Sequence, residues 1–166
     1  MSNKSLFGLL IILLTNIQSY SQICKFETMF VLNFTKNIEL SQNIDEYVIY
    51  VVNYDELSET LKEISSAKKL GALSYKIESV HNYTDIKGTP SMIIVGQSSS
   101  GQIGKIARKF NAVIVSMKSH QCWEGGAHIS FVNIGGKMKY EVSMTNFTND
   151  GFKISSKLLN LAHAVF

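Results

Sequence analysis

The sequence is poor in the features that mark several common protein classes. Among its 166 residues are one proline, one tryptophan (Trp123), two cysteines and a single arginine, Arg108. With one proline and 45% hydrophobic residues it is neither collagen-like nor disordered. Charged residues make up only 17%, and 16 basic against 13 acidic residues leave a formal net charge of +3. The basic residues are scattered, with Lys68–Lys69 and Arg108–Lys109 as the adjacent pairs. A nucleic-acid surface wants a basic stripe interleaved with aromatics, and bidentate phosphate or base recognition wants arginine, so nucleic acid is not an expected partner. Long apolar runs are missing too. The longest, residues 6–14, has nine residues where a membrane span needs roughly 20, so no membrane span is expected.

That run reads as the centre of a secretory signal peptide. Lys4 precedes it, and Ser19 and Ser21 supply the small residues of a cleavage site after Ser21. Cys24 follows closely, but Ser21-Gln22-Ile23 before it is no lipobox, so lipidation is not expected. The division is then residues 1–21 as signal and 22–166 as one exported domain, long enough to bury a core without staples. Export makes Cys24 and Cys122 a candidate disulfide that would close nearly a hundred residues. The competing reading is two unpaired thiols, since sequence does not show whether the two Cα atoms approach.

The mature chain alternates helix and strand patterns. Ile23, Phe26, Phe30, Phe34 and Ile38, with Met29 on the same side, predict an amphipathic helix over 24–38. Residues 46–52, 91–95 and 112–115 are short apolar runs rich in β-branched residues and read as strands buried on both faces. Leu57, Leu61, Ile64 and Lys68 mark a second helix stopped by Gly71, and Ile103, Ile106, Ala107 and Phe110 a third. Leu73, Tyr75 and Ile77 alternate as in a half-exposed strand. Residues 118–126 read as a polar loop, 127–132 and 138–143 as a hairpin turning at Gly135-Gly136, and 145–150 as a short helix stopped by Gly151. Ser155 is expected to cap a last helix over 156–165 that carries His163. The fold class is α/β: a single-domain mixed sheet with helices on both faces, an α/β/α sandwich of Rossmann-like kind.

Few constellations carry chemistry. Gly96-Gln97-Ser98-Ser99-Ser100-Gly101 follows a buried strand where a phosphate loop belongs, but the lysine and hydroxyl such a loop needs are missing, so it reads as an ordinary strand-to-helix turn. His120, Cys122, Glu124 and His128 cluster in sequence without a defensible zinc spacing, and no metal or cofactor is expected. There is no Gly-x-Ser-x-Gly elbow and no histidine with an evident nucleophile. Trp123, in a glycine-flanked polar loop, reads either as an exposed interface anchor or as a cap on the core. Asn146-Phe147-Thr148 matches a glycosylation acceptor, as do two other tripeptides, and reads as a chance match.

Four stretches together resemble one family. Residues 27–39, with Asn33-Phe34-Thr35-Lys36, look like its opening helix. Gly125-Gly126-Ala127-His128-Ile129-Ser130-Phe131 is similar to its Gly-Gly-x-Ile-x-Phe segment, and residues 139–144 to the strand that follows. Gly151-Phe152-Lys153-Ile154-Ser155-Ser156-Lys157-Leu158-Leu159-Asn160-Leu161-Ala162 is close to its C-terminal signature. The family is the YfiR/HmsC-like group of exported bacterial regulatory proteins, and the resemblance covers residues 24–166. It implies a periplasmic α/β sandwich without enzymatic activity. The best-known members bind the periplasmic sensor domain of an inner-membrane diguanylate cyclase and hold it down, so that their loss raises cyclic-di-GMP and biofilm formation. In some systems an outer-membrane lipoprotein sequesters the repressor. The domain also occurs beside membrane histidine kinases, and a homodimer is compatible with the family. This chain departs from the pattern at Leu40-Ser41, where tryptophan-proline is usual, and in having two cysteines where the best-studied branch has four.

The resulting expectation is a non-enzymatic periplasmic regulator, with no catalytic residue, that contacts its partner through Trp123, Glu124 and His128. Asn33, Gly125, Gly126, Ile154, Ser155, Ser156, Leu158, Leu159 and Leu161 are read as structural signature positions, with Ile154, Leu158, Leu159 and Leu161 as core of the last helix. The alternatives are a periplasmic small-ligand sensor, an accessory protein of a histidine kinase, and an exported enzyme of unrecognised type.

Overall fold

A computed structural model describes residues 22–41, 43–66 and 73–166. The expected signal segment and the expected helix end at Lys68 and Gly71 lie outside the described residues. In chain order the elements are α1 (22–37), β1 (Ile38–Glu39), β2 (Glu46–Val52), α2 (Asp55–Ser66), β3 (Ser74–Val80), a 3₁₀ turn (Tyr83–Asp85) and β4 (Met92–Val95). A second 3₁₀ segment (Gln97–Gln102) leads into α3 (Ile103–Lys109), β5 (Val113–Ser116) and α4 (Gln121–Glu124). The chain closes with β6 (Ile129–Ile134), β7 (Lys137–Val142), α5 (Met144–Asn149), β8 (Lys153–Ile154), α6 (Ser156–Leu161) and β9 (Ala164–Val165).

Seven strands form one mixed sheet in the order β3-β2-β4-β5-β6-β7-β9, confirming the α/β class. All neighbours are parallel except the β6–β7 hairpin. The apolar runs predict this, because a central parallel strand is covered on both faces. Ile49, Val51, Met92, Ile94, Val113 and Val115 face one layer. Their in-between neighbours Tyr50, Val52, Ile93, Val95 and Ile114 face the other. The first layer is closed by Val31, Leu32 and Phe34 of α1, Leu57 and Leu61 of α2, Phe147 of α5 and Leu158 of α6. The second is closed by Ile103 and Ile106 of α3 together with Ile86, Ala112 and Ala127. Each fully buried aliphatic side chain contributes about 1.5–3 kcal/mol.

The sheet order has a topological consequence. From β2 the chain crosses through α2 to β3 on one side; from β4 it crosses through α3 to β5 on the other. Right-handed crossovers in opposite directions put α2 and α3 on opposite faces. The loops after β2 and β4 therefore part company, leaving a crevice at their carboxyl ends.

Two expectations are corrected. The apolar stripe of α1 is wider than the core it covers: Phe34 and Ile38 are buried and Phe30 is half-buried, but Ile23, Phe26 and Met29 are 44%, 63% and 50% exposed. The last helix ends at Leu161 rather than 165. Ala162 turns extended (ψ 147°), and the tail runs beside β7, with His163 N–H on the Tyr140 carbonyl (2.7 Å) and Phe166 N–H on that of Val142 (2.9 Å). An open sheet edge offers unpaired backbone groups, and the tail satisfies them as β9. Leu161 is thereby left 59% exposed and is not a core residue, whereas Leu158 is buried and Ile154 and Leu159 pack partly buried against the core.

The signature positions serve this packing. β1 pairs antiparallel with β8, Ile38 opposite Ile154. Asn37 donates from Nδ2 to the carbonyl and Oδ1 of Asn33 (2.9 and 3.0 Å). Its own carbonyl accepts the Ser155 N–H (2.9 Å), and its Oδ1 accepts the Ser155 hydroxyl (3.2 Å). Ser155 also caps α6, accepting from the Leu158 N–H. Asn33 and Ser155 thus lie at the two ends of one hydrogen-bond relay that locks α1 to α6, while Ser156 is the exposed first residue of that helix.

Candidate functional site

The expected contact loop is a short helix, α4, held on a rigid frame. Its entry residue His120 has left-handed backbone (φ 62°). Glu141 of β7, almost fully buried, binds both ends of His120: Oε1 is 3.0 Å from Nδ1 and Oε2 accepts the main-chain N–H at 3.1 Å. The exit is tied by Gly125 and Ala127 N–H groups on the Gln121 carbonyl (3.1 and 3.0 Å). Gly126 takes φ +85°, which the turn reserves for glycine, whereas a Cβ on Gly125 would stand 2.6 Å from Gln121 Oε1, the movable end of a side chain. Asn146 clamps the segment from α5, donating from Nδ2 to the carbonyls of Cys122 (3.0 Å) and Ala127 (2.7 Å). Its amide is engaged in structure, which fits the reading of Asn146-Phe147-Thr148 as a chance match.

From this frame Trp123 projects with 62% of its surface exposed. It does not cap the core. Its indole stacks on Phe166 (centroids 5.7 Å, planes 16° apart), and His120 meets it edge-on at 6.4 Å. Phe166 is itself 44% exposed and Val165 46%. Glu124 is exposed beside Trp123. Phe166, one residue past the expected last helix, thus adds an aromatic neighbour to the expected contact residue Trp123.

His128 is corrected. Its ring is fully buried between Phe147 and Phe152, with centroids at 5.0 and 5.3 Å, so it does not form part of the contact surface. It directly precedes β6, and Phe147 and Phe152, which pack in the first layer, cover it. Nδ1 accepts the Ile114 N–H at 3.0 Å, and Nε2 lies 3.2 Å from Asp150 Oδ2 without hydrogen-bond alignment. Burial lowers its pKa to about 4, against the opposing pull of Asp150.

The candidate disulfide is corrected as well: Cys24 and Cys122 are separate buried thiols. Cys24, on α1, lies 3.5 Å from the Tyr54 hydroxyl. Cys122, on α4, donates to the carbonyls of Glu141 (3.3 Å) and His128 (3.5 Å). Burial pushes the Cys122 thiol up to about 12 and raises that of Cys24 too, which suppresses the reactive thiolate. Among the described residues no three His, Cys, Asp or Glu side chains are grouped to hold a metal ion. No helix among them is long and apolar enough to cross a membrane.

The fold and this surface define an α/β domain that presents an exposed tryptophan stacked on Phe166. A family model described as YfiR/HmsC-like matches residues 25–163, and the chain belongs to that family. The family's proteins are periplasmic and are regulatory rather than catalytic. No curated protein is a match to the chain.

Proposed function

We propose that this protein is a periplasmic regulator that binds the periplasmic sensor domain of an inner-membrane signalling enzyme and represses it, the enzyme being a diguanylate cyclase. Family membership supports the regulator class. The observation that carries the contact is Trp123, exposed, stacked on Phe166 and mounted on a loop tied by Glu141 and Asn146. A rigid, amphipathic aromatic loses little conformational freedom on docking, which is why such residues dominate interface energetics. Export by a signal peptide cut after Ser21 delivers the chain to the compartment where that sensor domain is found.

In-cell crosslinking of the tagged protein, with mass spectrometry of the captured envelope proteins, tests this reading. Capture of a diguanylate cyclase, lost at least tenfold with Trp123→Ala, is the expected result. Capture of a histidine kinase would keep the regulator class and replace the output. An outer-membrane lipoprotein in the same sample would add the sequestering partner. Capture of no membrane protein, or capture unaffected by Trp123→Ala, overturns the contact reading.

A further inference from the structure

The crevice at the carboxyl ends of β2, β4 and β5 is a second, separate feature, with a volume of about 510 Å³. It lies at the switch point of the sheet, where open α/β folds hold their ligands. Its walls are fixed by short contacts. Asn53, the residue after β2, has φ +55°, and its side-chain amide donates to Ser98 Oγ (2.8 Å) and Ser99 Oγ (3.2 Å). Gly96, the residue after β4, passes so close to this corner that a Cβ would stand 2.4 Å from the Asn53 carbonyl oxygen. Asn53, Tyr54, Gln97, Ser98 and Met117 line the crevice, and α1 closes it with Glu27.

Glu27 is the one charged residue in that lining, and it is only 6% exposed. Its Oε2 accepts the Tyr54 hydroxyl at 2.8 Å. Among the described residues its carboxylate has no other hydrogen bond and no ion pair. A carboxylate held out of water with a single neutral donor is under-compensated, and burial accordingly raises its pKa to about 7. A cation entering the crevice would supply the missing partner. An anion would meet the carboxylate and no lining cation. The Tyr54 ring and the Met117 thioether are soft surfaces suited to an alkylammonium, and Asn53, Gln97 and Ser98 bring amide and hydroxyl groups for its remaining hydrogen bonds.

We propose that this switch-point crevice is a binding site for a small primary amine, whose ammonium pairs with Glu27 while Tyr54 and Met117 cover its carbon chain. The site stands on its own geometry and is independent of the partner reading. Its test uses the purified protein alone, so failure here leaves the crosslinking result untouched.

Putrescine serves as the probe, with 1,4-butanediol and succinate as uncharged and anionic counterparts of the same length. Isothermal titration calorimetry at pH 8, where Glu27 is mostly ionised, is expected to show putrescine binding and no heat from the other two. Thermal melts are expected to rise with putrescine alone. Glu27→Gln keeps the volume and an acceptor for Tyr54 and is expected to weaken binding at least tenfold. Ser98→Leu narrows the mouth from an exposed position and is expected to do the same, which keeps the test open should the first variant fold poorly. Absence of putrescine binding at millimolar concentrations overturns the proposal. So does equal binding of the diol or of succinate, or binding that survives either substitution in a folded protein.

Discussion

The imidazole Nδ1 of His128 accepts the main-chain N–H of Ile114, in the middle of β5, at 3.0 Å. A ring nitrogen that accepts cannot carry a proton, so the neutral tautomer has its hydrogen on Nε2, toward Asp150. Protonating Nδ1 would set two N–H groups against each other in a site with no water access. The structure therefore holds this histidine neutral.

Two buried groups make the pH dependence of stability a test of the whole arrangement. His128 has a folded pKa of about 4, below the unfolded value of about 6.5. Its contribution is fully present above pH 6.5 and is lost as pH falls toward 4. Glu27 runs the other way: its folded pKa of about 7 lies above the unfolded 4.3, so its contribution is greatest below pH 4.3 and is lost as pH rises through 7. The groups facing Glu27 are Tyr54 and Cys24, with Glu56 acting on Cys24; the group facing His128 is Asp150. Between pH 7 and pH 5 each term amounts to about 2 kcal/mol, with opposite signs. Thermal melts of the unaltered protein should therefore be nearly flat across that interval. Glu27→Gln should expose a fall of about 4–8 °C on acidification. His128→Gln should expose a rise, whatever its absolute stability. A Glu27→Gln melt with no acid-dependent fall would show that His128 is not held neutral.

The thiols provide a second test. In the native protein neither Cys24 nor Cys122 should react rapidly with a thiol reagent, and both should react once the chain is denatured. A reducing agent should leave the melting temperature within about 1 °C. A bridge closing nearly a hundred residues would be worth about 4.7 kcal/mol, so a fall of about 10 °C or more on reduction would restore the disulfide reading.

The split stripe of α1 supplies the third. Phe34 is fully buried, with Phe131 and Tyr140 rings at 5.8 and 5.0 Å. Phe34→Ala should cost about 3–5 kcal/mol in denaturant unfolding. Phe26, eight residues earlier on the same helix, is 63% exposed, and Phe26→Ser should stay within about 0.5 kcal/mol. Comparable losses from both would mean that the outer face of α1 is covered in solution.

Much of the frame was legible before the structure. The runs that become β2, β4 and β5 are apolar at consecutive positions, and only strands covered on both faces need that. Ser155 as a cap and Gly135-Gly136 as a hairpin turn were legible because each answers a local demand: an orphan N–H, and two backbone angles (φ 58° and 76°) that side chains resist. For Trp123 the sequence left two readings open, exposed or capping the core, and the structure leaves it 62% exposed. The crevice could not. Glu27, Asn53 and Ser98 carry no motif, and a strand-to-helix turn without lysine looks ordinary. The one available signal was Glu27 itself, an acid set among apolar positions of an amphipathic helix.

By itself the sequence determined the main strands and helices, their alternation and the likeness to the family, because those depend on periodicity, turn chemistry and signature residues that act over a few positions. The tertiary structure decided which neighbour each face meets. It turned the end of the expected last helix into β9, since the β7 edge offers hydrogen bonds that a short terminal helix does not. It buried His128, because its strand entry lies under α5, and kept the cysteines apart, because α1 and α4 hold them against different partners. It also placed Glu27 of the first helix opposite the loops after β2 and β4. Such pairings are set by the direction of the crossovers, which no local pattern records.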